Sequence, residues 1–167
     1  SIFSLQRNKN PDSSSFWNFA RLREVAPALS FDAVIHLAGE NIATGRWTRK
    51  KKTRILESRT RGTGELAKFC ASLDNRPAVF ACASAIGYYG NRGDSLLDET
   101  SSTGSNFVAE VCREWEKAAS PAAEAGIRVV NCRIGMVLSG KGGTLLTMLP
   151  SFKLGIAGIV GNGLQYV

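Results

Sequence analysis

The chain has 167 residues, the length of one domain with at most the beginning of a second. Apolar residues make up 44% of it, as in ordinary globular proteins, and the longest apolar stretch, Ala78 to Tyr89, is too short for a membrane span. Its four cysteines are far apart, so neither a zinc site nor a disulfide framework is predicted. The first ten residues lack the order of a secretory signal, and we expect the cytoplasm, or an organelle matrix or stroma if a targeting segment precedes them.

Positive charge is concentrated in one segment. Lys and Arg exceed Asp and Glu by 21 − 14 = 7, and much of the excess lies between Arg46 and Arg54. Such a run attracts phosphates or nucleic acid, because Lys and Arg side chains that neutralise phosphates release the counterions bound to them. The alternative is the solvated face of a helix, which the apolar residues from Ile55 to Phe69 favour. Nucleic-acid binding is disfavoured because Trp47 is the only aromatic residue in the run.

The first predicted elements are a strand and a long helix. Asp32 to Gly39 is a short apolar run ending in glycine, as in a strand buried on both faces of a parallel sheet. His36 is the only histidine, and a lone imidazole in an apolar strand is more typical of a satisfied core residue than of a ligand. A helix is predicted from Thr48 to Ser72, with interruptions at Gly62 and Gly64.

A second strand and helix follow. The apolar run Ala78 to Ser84 predicts another buried strand, which leads into the turn Gly87 to Gly90. Residues 91–106 are polar and lack apolar periodicity, so they predict a surface loop. The apolar spacing from Phe107 to Glu124 predicts a helix that Pro121 ends or bends.

The last predicted strand, Ile127 to Ile134, follows the chain break at Gly126. Strands alternating with helices imply right-handed β-α-β crossovers and a parallel sheet with helices on both faces. Ligands of such sheets bind beyond the carboxyl ends of the strands. The segments to inspect are therefore Leu37 to Glu40, Ser84 to Tyr89, and Arg133 to Val137.

The sequences at these three strand ends resemble those of the extended short-chain dehydrogenase/reductase family. The residues concerned are His36-Leu-Ala-Gly39, Ser84 and Arg133-Ile-Gly135. Further motifs are similar to its atypical epimerase-like branch, whose bacterial members are often labelled cell-division inhibitors. They are Leu37-Ala-Gly-Glu-Asn-Ile42 with Arg46-Trp47, Gly87-Tyr-Tyr-Gly90, Trp115-Glu116, Met148-Leu-Pro150 and Gly161-Asn-Gly-Leu-Gln-Tyr166.

The resemblance implies an α/β fold, a Rossmann-like doubly wound parallel sheet lacking its first β-α unit and its C-terminal substrate segment. Residues 1–139 would form the partial dinucleotide-binding domain, and residues 140–167 the start of the substrate-side segment. The implied cofactor is NADP, with NAD possible, and the partner is a small-molecule substrate of unknown identity. Because no Gly-x-Gly-x-x-Gly precedes Phe31, we expect this chain to bind the cofactor weakly or not at all.

The resemblance also implies the site residues. Arg7, with Asn8, could meet the 2′-phosphate of NADP, or it is a solvated terminal arginine. Glu40 could bond to ribose or substrate, or form a loop cap. Gln165 and Tyr166 could shape the substrate side. The candidate cofactor-binding residues are Arg7, Leu37, Ala38, Gly39, Glu40, Ser84, Arg133, Ile134 and Gly135, and the candidate catalytic residues are Ser84, Tyr88 and Tyr89.

Catalysis is the open question, because family members use a tyrosine and a lysine four residues later to exchange a proton with the substrate. Phe107 and Val111 stand at those positions here, and neither can transfer a proton. Tyr88 or Tyr89 could supply the hydroxyl, or they pack in the pocket wall while the domain binds cofactor without turning it over.

A phosphate-binding loop is the rival interpretation. Gly135 to Gly142 follows a strand and nearly matches Gly-x-x-x-x-Gly-Lys-Ser/Thr, but Gly142 lacks the hydroxyl that holds magnesium in such loops. The loop would also require Val137 and Leu138 to leave the strand. ATP hydrolysis is therefore ranked below dinucleotide binding.

Overall fold

The computed structural model describes residues 2–7, 16–25, 30–43, 45–159 and 163–164. Three parallel strands form its sheet, in the order β1-β2-β3. The elements in chain order are α1 (Phe19–Val25), β1 (Ala33–His36), α2 (Arg49–Ala71), β2 (Val79–Ala85), a 3₁₀ helix (Ile86–Tyr89), α3 (Phe107–Lys117), α4 (Ser120–Glu124), β3 (Arg128–Ile134) and α5 (Gly143–Lys153). The three strands, the long helix and the surface loop are confirmed, and the parallel sheet brings the strand ends to one edge.

Helix α2 begins and ends where its capping residues predict. The Thr48 hydroxyl accepts a hydrogen bond from the backbone N–H of Lys51 at 3.2 Å, and Ser72 is the C-cap. The predicted interruptions at Gly62 and Gly64 are wrong, because the helix is continuous. At Gly62 a Cβ would lie 3.0 Å from a ring carbon of Phe16, so glycine leaves space there for an aromatic ring.

The predicted second helix is divided into α3 and α4. The Asn106 side chain caps α3 by accepting from the backbone N–H of Ala109 at 2.9 Å. The chain leaves α3 at Ala118, before Pro121, which lies in the first turn of α4 where its missing N–H costs no helical bond. The predicted stripe is buried at Val111, Cys112, Trp115 and Ala119, and half-buried at Val108.

The core lies between the sheet and helices α2, α3 and α4. It is built from apolar residues of these elements and of the segment around α1, namely Trp17, Leu22, Leu66, Ala67, Phe69, Cys70, Leu73, Phe80, Cys82, Ala83, Trp115, Ala119, Ala122 and Ile127. The prediction that each strand is buried on both faces is wrong for β1, where Ile35 is 72% exposed, and for β3, where Asn131 and Cys132 are exposed. Strand β2 differs because neighbours flank it on both sides, and its Ala83 is buried.

None of the described helices combines the length and the apolar character needed to cross a membrane.

A buried chain of hydrogen bonds connects α3, α2 and β1. The indole Nε1 of Trp115 donates to the Thr63 hydroxyl at 2.9 Å, and that hydroxyl lies 2.9 Å from Nε2 of His36. Because Thr63 accepts from Trp115, its own hydrogen can be donated to the imidazole, which then accepts at Nε2. His36 is a hydrogen-bonded core residue, as expected, and burial lowers its pKa to about 4.

Acidification is expected to destabilise the fold through His36. The unfolded chain takes up a proton below the ordinary pKa of 6.5, whereas the folded chain does so only near 4. This contribution to stability is therefore present above pH 6.5 and is lost as the pH falls from 6.5 to about 4. The loss over that window is about 3 kcal/mol.

Urea denaturation between about pH 7.5 and about pH 5 measures this effect, in a range where most carboxylates stay ionised. The His36→Gln variant is the control, because its amide does not titrate, and it should show a flatter dependence of unfolding free energy on pH. Equal slopes in the two proteins would rule out His36 as the cause.

Candidate active site

An ion pair lies where β2 and β3 end. Nε of Arg133 donates to Oε1 of Glu116 at 2.9 Å, and Nη2 donates to Oε2 at 2.9 Å. The two side chains are 18% and 12% exposed, respectively. These hydrogen bonds are the main cause that raises the pKa of Arg133. The guanidinium is thus a permanent cation held in a fixed orientation by α3.

Both tyrosines of the 3₁₀ helix contact that guanidinium. Nη1 of Arg133 donates to the hydroxyl oxygen of Tyr89 at 2.9 Å. Cζ of Arg133 lies 3.5 Å from the ring centroid of Tyr88, a cation–π contact. Because a guanidinium can only donate, the Tyr89 oxygen accepts, and its own hydrogen remains available for another acceptor.

The hydroxyl of Ser84 binds Glu116, whereas that of Tyr89 binds Arg133. Oγ of Ser84 donates to Oε1 of Glu116 at 2.7 Å, and Ser84 is only 4% exposed. Since an ionised carboxylate only accepts, the Ser84 hydrogen points at Glu116. Ser84 therefore faces the ion pair rather than solvent, and its direct contact with a ligand stays a prediction.

Glu116 was not among the predicted site residues. The sequence places it directly after the buried Trp115 in a motif of the resembled subgroup, and that adjacency was the available signal. Trp115 itself is a core residue, at 6% exposure. The partner of Glu116 on β3 lies 17 residues further along the chain.

The loop after β1 is held by side chains of α2. Nζ of Lys51 donates to Oε1 of Glu40 at 2.9 Å and to the Asn41 carbonyl at 2.6 Å. The Ser58 hydroxyl accepts from the backbone N–H of Glu40 at 3.0 Å. Hydrogen bonding by Lys51 is the main cause that lowers the pKa of Glu40. The prediction of a solvated basic helix face is wrong at Lys51, which is 5% exposed, because this carboxylate and carbonyl draw it inward.

Four of the predicted cofactor-binding positions are exposed at the sheet edge, whereas Ala38 is half-buried. Leu37 is 69% and Ile134 41% exposed, and Gly39 and Gly135 are also exposed. Arg7 is exposed, with its Cζ 5.0 Å from the Phe16 ring centroid, and its charge contributes to lowering the pKa of Glu40. Asn8, Gln165 and Tyr166 lie outside the described residues.

The rival phosphate-binding loop has the right structural context but the wrong chemistry. Strand β3 ends at Ile134, so Val137 and Leu138 do lie in a loop, and α5 begins at Gly143. The position after Lys141 is still a glycine, which offers no hydroxyl for magnesium. This position therefore lacks the magnesium ligand that the phosphate-binding loop of an ATPase supplies.

A parallel sheet packed against helices, with glycines exposed at the carboxyl ends of its strands, is typical of the Rossmann-like class of α/β fold. Within that class, the chain belongs to the NAD dependent epimerase/dehydratase family, whose family model matches residues 8–149. The resemblance seen in the sequence is thereby confirmed.

Individual relatives are similar over most of this chain. The epimerase family protein Mb2239 of Mycobacterium bovis is 42% identical over 158 residues, which are 95% of this chain and 50% of that protein. The crystal structure of human epimerase family protein SDR39U1 (isoform 2) with NADPH has a TM-score of 0.75 and 33% identity, over 80% of this chain and 46% of that one. The nucleoside-diphosphate sugar epimerase from Corynebacterium glutamicum has a TM-score of 0.64 and 42% identity, over 79% of this chain and 27% of that one. The chain thus spans about half the length of the mycobacterial relative.

Proposed function

We propose that this protein binds NADP(H) at the carboxyl edge of its sheet and acts as a reductase or epimerase on a small molecule, with Tyr89 as the proton donor. The observation that carries the proposal is the 2.9 Å hydrogen bond from Arg133 to the Tyr89 oxygen. It gives the site a hydroxyl whose hydrogen is free and whose oxygen faces a fixed cation.

The exposed residues Leu37, Gly39, Ile134 and Gly135 support binding of an extended ligand across the strand ends. The similar human protein was solved with NADPH, which supports that cofactor for this chain. In this proposal, residues 1–139 contain the cofactor side and residues 140–167 begin the substrate side. When bound, the nicotinamide supplies or accepts a hydride.

The proposed proton transfer uses groups of this chain. As a substrate carbonyl is reduced, its oxygen gains negative charge and takes the hydrogen of Tyr89, and the tyrosine oxygen is left beside the guanidinium of Arg133. Oxidation of an alcohol runs the same transfer backwards. Glu116 keeps the guanidinium in place through two hydrogen bonds.

The cysteines fit a reducing compartment, which we propose to be the cytoplasm or an organelle interior. Cys70, Cys82 and Cys112 are buried, and burial raises the pKa of the Cys70 and Cys82 thiols to about 12. These two thiols stay protonated and unreactive at neutral pH.

Cofactor titration tests the proposal. Because no Gly-x-Gly-x-x-Gly precedes Phe31, NADPH is expected to quench the tryptophan fluorescence of this chain only at high concentration, and Mg-ATP at the same concentrations is expected to have no effect. A saturable response to Mg-ATP with none to NADPH would favour the phosphate-binding loop instead.

The same titration tests the proposed contact of Arg7 with the 2′-phosphate. Arg7→Gln should lower the affinity for NADPH about tenfold, since a charge-assisted hydrogen bond contributes about 1.5 kcal/mol. The affinity for NADH should stay unchanged, because NADH has no 2′-phosphate. Arg21→Gln is a matched control, because Arg21 is also exposed and its guanidinium bonds to Gln6. Equal weakening of NADPH in both variants would contradict a specific contact.

A further inference from the structure

Arg59 of α2 extends its guanidinium to the carboxyl end of β1. Its Nη1 donates to the carbonyls of Glu40 and Ile55, each at 3.2 Å. The group lies so close to Gly39 that a Cβ there would be 3.1 Å from its Cζ. The same Cζ lies 4.9 Å from the ring centroid of Trp115. This guanidinium therefore has a defined position beside the glycine that the proposed cofactor site uses.

The charge of Arg59 is not neutralised by the described part of the chain. No described carboxylate lies within ion-pair distance of it, and its Nε and Nη2 have no acceptor among the described residues. Its neighbour Glu40 is bound by Lys51 at 2.9 Å and by Arg54 at 3.4 Å. Lys51 and Arg54 thus share this carboxylate, and partial burial lowers the pKa of Arg59.

We propose that Arg59 binds a phosphate group of a ligand at the carboxyl end of β1. The inference rests on the proposed function, because it uses the same edge of the sheet. Arg59 adds its positive charge beside Lys51 and Arg54, which already share one carboxylate, and this local excess of positive charge suits a phosphate monoester or a pyrophosphate link. The open N–H groups of the guanidinium suit paired phosphate oxygens, and the absence of a side chain at Gly39 leaves room for the guanidinium at the end of β1.

Two ligands could carry this phosphate, namely the dinucleotide and a phosphorylated substrate. Inorganic pyrophosphate is the probe for the shared chemistry, measured by calorimetric titration of the whole chain. We expect the parent protein to bind it and Arg59→Gln to bind it at least about tenfold more weakly, as for loss of a charge-assisted hydrogen-bonded pair. The matched control is Arg49→Gln, which removes the same charge from an exposed position at the start of the same helix.

The outcomes separate the sources of phosphate. If NADPH affinity falls with pyrophosphate affinity in Arg59→Gln, the phosphate belongs to the dinucleotide. If pyrophosphate binding falls and NADPH affinity is unchanged, it belongs to the substrate. Failure of the parent protein to bind NADPH would refute the proposed function, whereas the pyrophosphate result would still decide the role of Arg59.

Three results would overturn the inference. They are no pyrophosphate binding by the parent protein, equal weakening in Arg49→Gln and Arg59→Gln, or full binding by folded Arg59→Gln. Should Arg59→Gln fail to fold, Arg59→Lys decides, because it keeps the charge and loses the planar group. It is then expected to bind pyrophosphate at least about threefold more weakly, and unchanged binding would also overturn the inference.

Discussion

Changing Tyr89 to phenylalanine is expected to lower turnover about hundredfold, the lower end of what a general acid contributes. The variant removes one oxygen, the acceptor of the 2.9 Å hydrogen bond from Arg133, and keeps the ring. Because the hydroxyl acts in proton transfer, kcat should fall while NADPH affinity stays unchanged. The measurement is NADPH oxidation with a panel of carbonyl substrates, after screening the parent protein for the substrates it reduces.

Tyr88→Phe is the matched control for that experiment. Tyr88 presents its ring face to Arg133, with Cζ 3.5 Å from the centroid, and phenylalanine keeps this contact. Its turnover should therefore fall much less than that of Tyr89→Phe. A larger loss in Tyr88→Phe would move the proton donor to Tyr88, and unchanged turnover in both variants would remove the tyrosines from the mechanism.

Changing Glu116 to alanine is expected to cost about 3 kcal/mol of unfolding free energy, the lower end for breaking a buried ion pair. The change leaves the Arg133 cation without its carboxylate at a position where the two side chains are 18% and 12% exposed. It also removes the acceptor of the Ser84 hydroxyl. Urea denaturation measures the loss.

The control for Glu116 lies on the same helix. Glu114 pairs with Arg113 at 3.3 Å, with side chains 37% and 48% exposed, so Glu114→Ala should cost less than about 1 kcal/mol. If Glu116→Ala lost as little unfolding free energy as Glu114→Ala, the ion pair of Glu116 and Arg133 would not be important for stability.

A double variant separates stability from function. Replacing both Glu116 and Arg133 by leucine removes the two charges together, and much of the lost stability should return. Turnover should stay low, because Tyr89 no longer has a cation beside its oxygen. Recovery of turnover with stability would mean that the pair supports only the fold.

The local pattern of residues was enough to predict most elements. Alternation of apolar runs with helical spacing predicted the three strands, and the predicted helix from Thr48 to Ser72 matches α2 to within a residue at each end. These features depend on neighbours in the chain, which a sequence displays directly. The predicted helix interruption at Gly62 is wrong, because the glycine makes room for Phe16, a residue far away in the chain.

The sequence by itself therefore determined the class of fold and the family, and it predicted the strand ends where a ligand would bind. Only the tertiary structure decided which side chains meet there. Tyr89 lies 44 residues from Arg133, and Ser84 lies 32 residues from Glu116. Their contacts depend on the register of β2 against β3, which places Ser84 beside Arg133, and on the packing of α3 against β2. Hydrogen bonds require partners within a few tenths of an ångström, and residue spacing along the chain does not specify distances that finely.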